Sequence, residues 1–116
     1  MDLTLNPEEE AFRQEVRSFI ADNLPDDSRD KIRDGRGYGK DGIQRWNNVM
    51  NAKGWVAPAW PVEHGGTGWN TTQFYIFDEE MVNGFAPGLN SFGTHLVGPV
   101  IIAFGSDEQK AHYLPR

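Results

Sequence analysis

Sixteen residues in the middle of the chain, Gly54-Trp55-Val56-Ala57-Pro58-Ala59-Trp60-Pro61-Val62-Glu63-His64-Gly65-Gly66-Thr67-Gly68-Trp69, set the strongest limit on what it can fold into. Pro58 and Pro61 remove backbone donors and fix φ, so neither a continuous helix nor a central strand passes through them. The glycines raise the entropic cost of either regular structure. Trp55, Trp60 and Trp69 nevertheless carry large apolar surfaces that favour burial. Only an ordered loop folded over a core meets both demands.

The flanking segments read as helices. Asn6 can cap the first, Pro7 suits the first helical position, and Glu9 completes a capping box. Phe12, Val16, Phe19, Ile20 and Leu24 form its apolar stripe, with Arg13, Glu15, Arg17 and Asp22 expected to face out. Pro25 ends it. Residues 26–40 are charged, dotted with glycine and poor in large apolar side chains, which predicts a mobile surface loop. Asp41 is the expected cap of a second helix with Ile43, Trp46, Val49 and Met50 on its buried face, and Gly54 as a left-handed terminator. Asn70 or Thr71 caps a third helix carrying Phe74, Ile76, Phe77 and Met81. A fourth helical segment is expected from about Leu89 to Phe104, with a kink or two short helices at Pro99. Ser106 and Gln109 then form a second capping box for a last short helix. No strand alternation and no repeat appears, so the expected fold is all-α, a small bundle of about five helices around the ordered loop.

Composition narrows the function. At 116 residues, with 38% hydrophobic and 24% charged positions and a mean hydropathy of −0.60, the chain suits one soluble domain. No apolar run approaches the ~20 residues that cross a bilayer, and no signal-peptide pattern opens the sequence. A net charge of −6 disfavours nucleic acid as a partner. The absence of cysteine removes thiolate metal sites, iron–sulfur clusters and thiol nucleophiles, and suits a reducing cytoplasm. His64, His95 and His112 match no local metal-ligand spacing, so no metal site is expected.

Candidate chemistry is sparse. Gly65-Gly66-Thr67-Gly68 has no following lysine and no preceding strand, which argues against a phosphate loop. Glu63 and His64 are adjacent, and a surface histidine in a tight turn is favoured over an acid–base pair. His95 on an apolar helix is expected to be a hydrogen-bonded core or cleft residue. Glu79 and Glu80 diverge by about 100° on a helix, so one should turn toward packed structure and the other toward water. Phe85, Leu89, Phe92 and Leu96, interspersed with Gly84, Gly88, Gly93 and Gly98, make a thin-walled apolar segment. It fits either close helix packing or one wall of a narrow ligand pocket.

Two blocks carry a family resemblance. One is Gly54-Trp55, Pro58, Trp60-Pro61, Glu63, Gly65-Gly66 and Gly68, followed by Gln73, Phe77 and Glu79-Glu80. The other is Gly98-Pro99, Ile102-Ala103-Phe104-Gly105-Ser106, Glu108-Gln109-Lys110 and Tyr113-Leu114-Pro115. Together they resemble the N-terminal helical domain of acyl-CoA dehydrogenases, flavoenzymes that oxidise acyl-CoA thioesters at Cα–Cβ, over essentially the whole of residues 1–116. The resemblance implies that a β-domain and a C-terminal four-helix domain complete the enzyme. Those parts would supply the catalytic carboxylate and most FAD contacts, so no catalytic or cofactor-binding residue is assigned within this chain. It further implies an acyl-CoA substrate, an electron-transfer partner and a homo-oligomer. By position, Leu89, Phe92, Gly93 and Leu96 would line the acyl-chain pocket, and the fragment alone would be inactive. Acyl-CoA oxidases and related flavin monooxygenases share this domain. A stand-alone helical interaction module is the alternative from another class.

Overall fold

Asn6 opens the first helix. In the computed structural model, which describes residues 4–37, 39–88 and 92–115, its Oδ1 accepts from the Glu9 N–H at 2.8 Å and its Nδ2 donates to Glu9 Oε1 at 2.8 Å. Helix α1 (Pro7–Asn23) stops where the Leu24 N–H makes its last bond to the Ile20 carbonyl, just before Pro25. Helices α2 (Asp26–Arg33), α3 (Lys40–Lys53), α4 (Thr71–Asn83), α5 (Gly98–Phe104) and α6 (Asp107–Tyr113) follow. A 3-10 turn at Val62–His64 and a π-helical turn at Phe92–Val97 complete the order. The fold is all-helical, with no strand among the described residues.

Helix α2 corrects the loop expected over residues 26–40 in its first part, residues 26–33. Its stabilisation comes from charge order in place of apolar spacing. Asp26 and Asp27 lie at the positive end of the dipole, Lys31 and Arg33 at the negative end. Arg33 pairs with Asp30 at 3.2 Å, one turn back. Helix α3 also begins earlier than expected. Ile43 N–H reaches the Gly39 carbonyl at 3.1 Å, so Asp41 lies in the first turn and is not the cap. Trp46 and Met50 are buried on its inner face as expected, whereas Ile43 is 40% exposed. Gly54 ends the helix at φ +84°, and the Trp55 N–H closes back on the Met50 carbonyl at 2.9 Å.

The described chain divides into two compact units. The first comprises Met1–Val49 and Trp69–Pro87. Here α1 packs on α4, burying Val16, Ile20 and Leu24 from one and Ile76, Phe77 and Met81 from the other. Asn70 caps α4 by a reciprocal pair: its Oδ1 accepts from Gln73 N–H at 2.9 Å, and its N–H donates to Gln73 Oε1 at 3.0 Å. That cap fixes the neighbouring Trp69, whose ring meets Phe12, Phe74 and Phe77 at centroid distances of 5.2, 5.7 and 5.0 Å. Of the two adjacent glutamates, Glu80 turns inward and is 3% exposed. Arg13 Nη1 donates to Glu80 Oε1 at 2.8 Å, and Arg17 Nε and Nη2 donate to its two oxygens at 3.0 and 2.9 Å. Arg13 also reaches Glu79 Oε2 at 3.2 Å. Arg13 and Arg17, expected to face solvent, therefore close over α4.

The second unit comprises Met50–Gly68 and Gly88–Arg116. Its loop is ordered by its own hydrogen bonds. Trp60 N–H donates to the Ala57 carbonyl at 3.2 Å, and Thr67 donates to the Pro58 carbonyl from both N–H (3.2 Å) and Oγ1 (3.1 Å). At Gly66 the chain passes so close to the Trp60 carbonyl that a Cβ would overlap it. Trp55 and Ala57 are buried. Pro99 lies in the first turn of α5. It clashes with the carbonyl four residues back and has no hydrogen to give it, and the chain answers by widening the preceding turn before continuing as α5. Of the two expected forms the segment takes the second, two short helices, the first of them π-helical. Residues 89–91, where the segment was expected to begin, lie outside the described residues. Ser106 caps α6, its Oγ accepting from Gln109 N–H at 3.2 Å.

Candidate functional site

The widened turn is the most distinctive local structure in the second unit, and it carries three of the four residues expected to face substrate. Phe92 is 73% exposed and Leu96 57%, with Gly93 exposed between them. Leu89 lies outside the described residues. Large apolar side chains rarely stand this open in a run, and contiguous exposed apolar surface marks a binding or packing face. The face extends further than the sequence reading placed it. Val97, Val100 and Phe104 are also exposed, Phe104 at 86%. The signal lies in the helical spacing of positions 96, 100 and 104, which puts three large apolar side chains on one face.

His95 corrects its expectation. It is exposed, with Nδ1 3.0 Å from the Thr94 hydroxyl, and is neither a core nor a cleft residue. The indole of Trp60 lies behind the turn: its Nε1–H donates to the Thr94 carbonyl at 2.7 Å, and a Cβ on Gly98 would overlap its ring. On its other side Trp60 borders an open cleft of about 660 Å³, lined also by Glu63, His64, Lys110, Leu114 and Pro115.

The glycine loop can be tested directly for phosphate or flavin binding. A phosphate cradle needs several backbone N–H groups pointing outward. Here Gly65 N–H donates to the Val62 carbonyl, Gly66 N–H to Pro61 and Thr67 N–H to Pro58, at 3.1, 3.1 and 3.2 Å. These donors are spent on the loop itself, and the residues present do not fit a flavin pyrophosphate. Among the described residues, no three of His, Asp and Glu converge on a metal-sized site.

Residues 6–116 match the family model for the N-terminal domain of acyl-CoA dehydrogenases. The chain belongs to the acyl-CoA dehydrogenase family. It is 38% identical over 112 residues to acyl-CoA dehydrogenase IpdE1 of Mycobacterium tuberculosis, an alignment that takes in 92% of this chain and 29% of the relative. To acyl-CoA dehydrogenase FadE26 of the same organism it is 34% identical over 118 residues, covering 100% of this chain and 29% of that protein. The ChsE4–ChsE5 complex from Mycobacterium tuberculosis contains a chain of like structure (TM-score 0.76, 31% identity), covering all of this chain and 28% of that one. A variant of the Tcur3481–Tcur3483 steroid ACAD matches with TM-score 0.78 at 28% identity, covering 93% of this chain and 28% of that one. This acyl-CoA dehydrogenase N-terminal domain thus spans less than a third of the length of the curated relatives it matches. No helix among the described residues is long and apolar enough to cross a membrane.

Proposed function

We propose that this domain forms one wall of the acyl pocket of an FAD-dependent acyl-CoA dehydrogenase, which oxidises an acyl-CoA thioester at Cα–Cβ. The observation that supports this reading is the open apolar face at Phe92, Gly93 and Leu96 on a widened turn, in a chain that belongs to this family. Leu89 completes the set by sequence position. FAD, when bound in the whole enzyme, supplies the hydride acceptor. The part played by this chain is different in kind. Phe92 and Leu96 offer apolar surface to an acyl chain, exclude water from the reacting carbons and limit the length and shape of what enters. No group of this chain is assigned to move the α-proton, and the domain alone is expected to be inactive.

The whole enzyme would work in the cytoplasm and pass its electrons to a separate acceptor protein. Two details follow from its relatives. The similarity to a steroid ACAD favours a bulky, ring-bearing acyl group over a simple straight chain as substrate. Both structural neighbours are named as pairs of different polypeptides, which favours assembly with a second, related subunit over the homo-oligomer that the family resemblance implies.

The test is purification of the full-length protein, alone and co-expressed with a neighbouring homologue, followed by flavin absorbance and acceptor reduction with a panel of acyl-CoAs. Flavin-loaded protein that reduces the acceptor with a ring-bearing acyl-CoA is the expected result. Protein that takes up no flavin on reconstitution overturns the reading, and turnover that consumes oxygen points instead to an oxidase or monooxygenase.

A further inference from the structure

The turn that carries Phe92 and Leu96 is shaped by a hydrogen bond from outside its own helix. In a π-helical turn each carbonyl accepts from the N–H five residues ahead. For Thr94 that position is Pro99, which has no hydrogen to give. The N–H one place earlier, on Gly98, belongs by the same spacing to Gly93. Consistently, a Cβ on Gly98 would lie 2.9 Å from the Gly93 carbonyl oxygen. The indole of Trp60 donates to this carbonyl from outside the helix, its Nε1–H reaching the Thr94 oxygen at 2.7 Å. The approach depends on Gly98, since any larger side chain there would overlap the Trp60 ring. Trp60 is itself held by its N–H bond to the Ala57 carbonyl, in a loop that Thr67 closes onto Pro58, and the close passage of Gly66 over its carbonyl leaves it little room to shift.

We propose that Trp60 is the positioning residue of the acyl-facing turn: its indole N–H stands in for the hydrogen Pro99 lacks, holds Phe92 and Leu96 in register, and thereby sets which acyl groups the enzyme accepts. The selectivity part of this proposal rests on the acyl-pocket reading above, whereas the positioning part does not. Two otherwise unrelated features of the sequence become one device. The tryptophan of the Trp60-Pro61 pair and the proline of the Gly98-Pro99 pair are complementary halves of the Thr94 carbonyl's hydrogen bonding, the tryptophan reaching it from 34 positions earlier in the chain. Trp60 touches no reacting atom in this scheme and acts only through the turn.

The experiment uses the full-length enzyme and three variants. Trp60→Phe keeps a ring against Gly98 and removes the donor. Pro99→Ala returns a backbone N–H to the position five residues after Thr94. The double variant combines them. Hydrogen–deuterium exchange over residues 92–98 reads positioning, and KM and kcat with a short and a bulky acyl-CoA read selectivity. Trp60→Phe is expected to speed exchange in the turn about tenfold and to raise KM for the bulky substrate several-fold. Its kcat with the short substrate and its flavin content should stay as in the parent. The double variant is expected to recover most of both losses, which a merely space-filling role for Trp60 would not allow. Unchanged exchange in Trp60→Phe, or a double variant no better than the single, overturns the positioning role whatever the reaction proves to be. Faster exchange with unchanged substrate preference overturns the selectivity role alone. A parent enzyme that oxidises no acyl-CoA removes the acyl-pocket reading and the selectivity claim with it, while exchange still decides the positioning.

Discussion

Glu80 shows how far a single residue's role can depart from its appearance in sequence. The residue is 3% exposed, and its carboxylate accepts from Arg13 and Arg17 across α1 and α4. The hydrogen bonds from Arg17, against the opposing effect of burial, hold it below the ordinary glutamate range, with the Arg17 charge and Arg13 adding to the effect. Glu80→Gln keeps the shape and removes the charge, and is expected to cost on the order of 2 kcal/mol, read by urea unfolding. The pH dependence has a definite sign. A depressed folded value means that the stabilisation is complete above the unfolded glutamate pKa of about 4.3 and is lost as pH falls through the lower folded value. Acid titration of the parent should therefore show a loss of stability below that range that is shallower in Glu80→Gln. Equal slopes would show that Glu80 titrates as an unperturbed group. The sequence announced that one of two adjacent glutamates must turn inward. It did not announce which, because the choice depends on two arginines more than sixty positions earlier, whose helical spacing alone put them on the solvent side.

Helices with local punctuation were legible, and the one without it was not. Asn6, Asn70 and Ser106 each close a reciprocal or near-reciprocal cap with the residue three ahead, and each starts a helix where expected. Asn70→Ala should cost about 1 kcal/mol, with an added loss of Trp69 order because that residue adjoins the cap; thermal unfolding with tryptophan fluorescence checks both. Helix α2 escaped the sequence reading because it has no apolar stripe and no side-chain cap. Its only signal was acidic residues leading basic ones over eight positions. The widened turn was half legible. Pro99 marked a disturbance, but the form it takes also involves a partner in a distant loop, the Trp60 indole that donates to the Thr94 carbonyl. Gly98→Ala probes this element from the other side. Its methyl would collide with the Trp60 ring, so the variant is expected to lose about 1–3 kcal/mol of stability. A neutral result would mean that the ring and the turn can separate at little cost.

For the molecule as a whole, the telling feature is apolar surface that this chain does not cover. In the second unit Phe92, Leu96, Val97, Val100 and Phe104 are all more than half exposed, in a chain that spans 29% of its curated relatives. Burying apolar area is worth roughly 25 cal/mol per Å², and a single large side chain can contribute about 1.5–3 kcal/mol. Five such residues on neighbouring turns represent a sizeable driving force toward any surface that will accept them. In the proposed enzyme part of that face meets the acyl group and part meets other protein. Expressed alone, the 116-residue chain has neither, so it is expected to self-associate as its concentration rises despite a net charge of −6 that opposes crowding. Sedimentation velocity over a hundredfold concentration range would show the sedimentation coefficient climbing, and raising salt to screen the charge would increase it further. Leu96→Ser with Phe104→Ser should return the chain to a monomer. Both residues are exposed, so the loss reflects association and not the core. Were the parent strictly monomeric at the highest concentration, the face would have to be closed by the chain itself in solution. The exposure on which the acyl-wall reading depends would then not exist there.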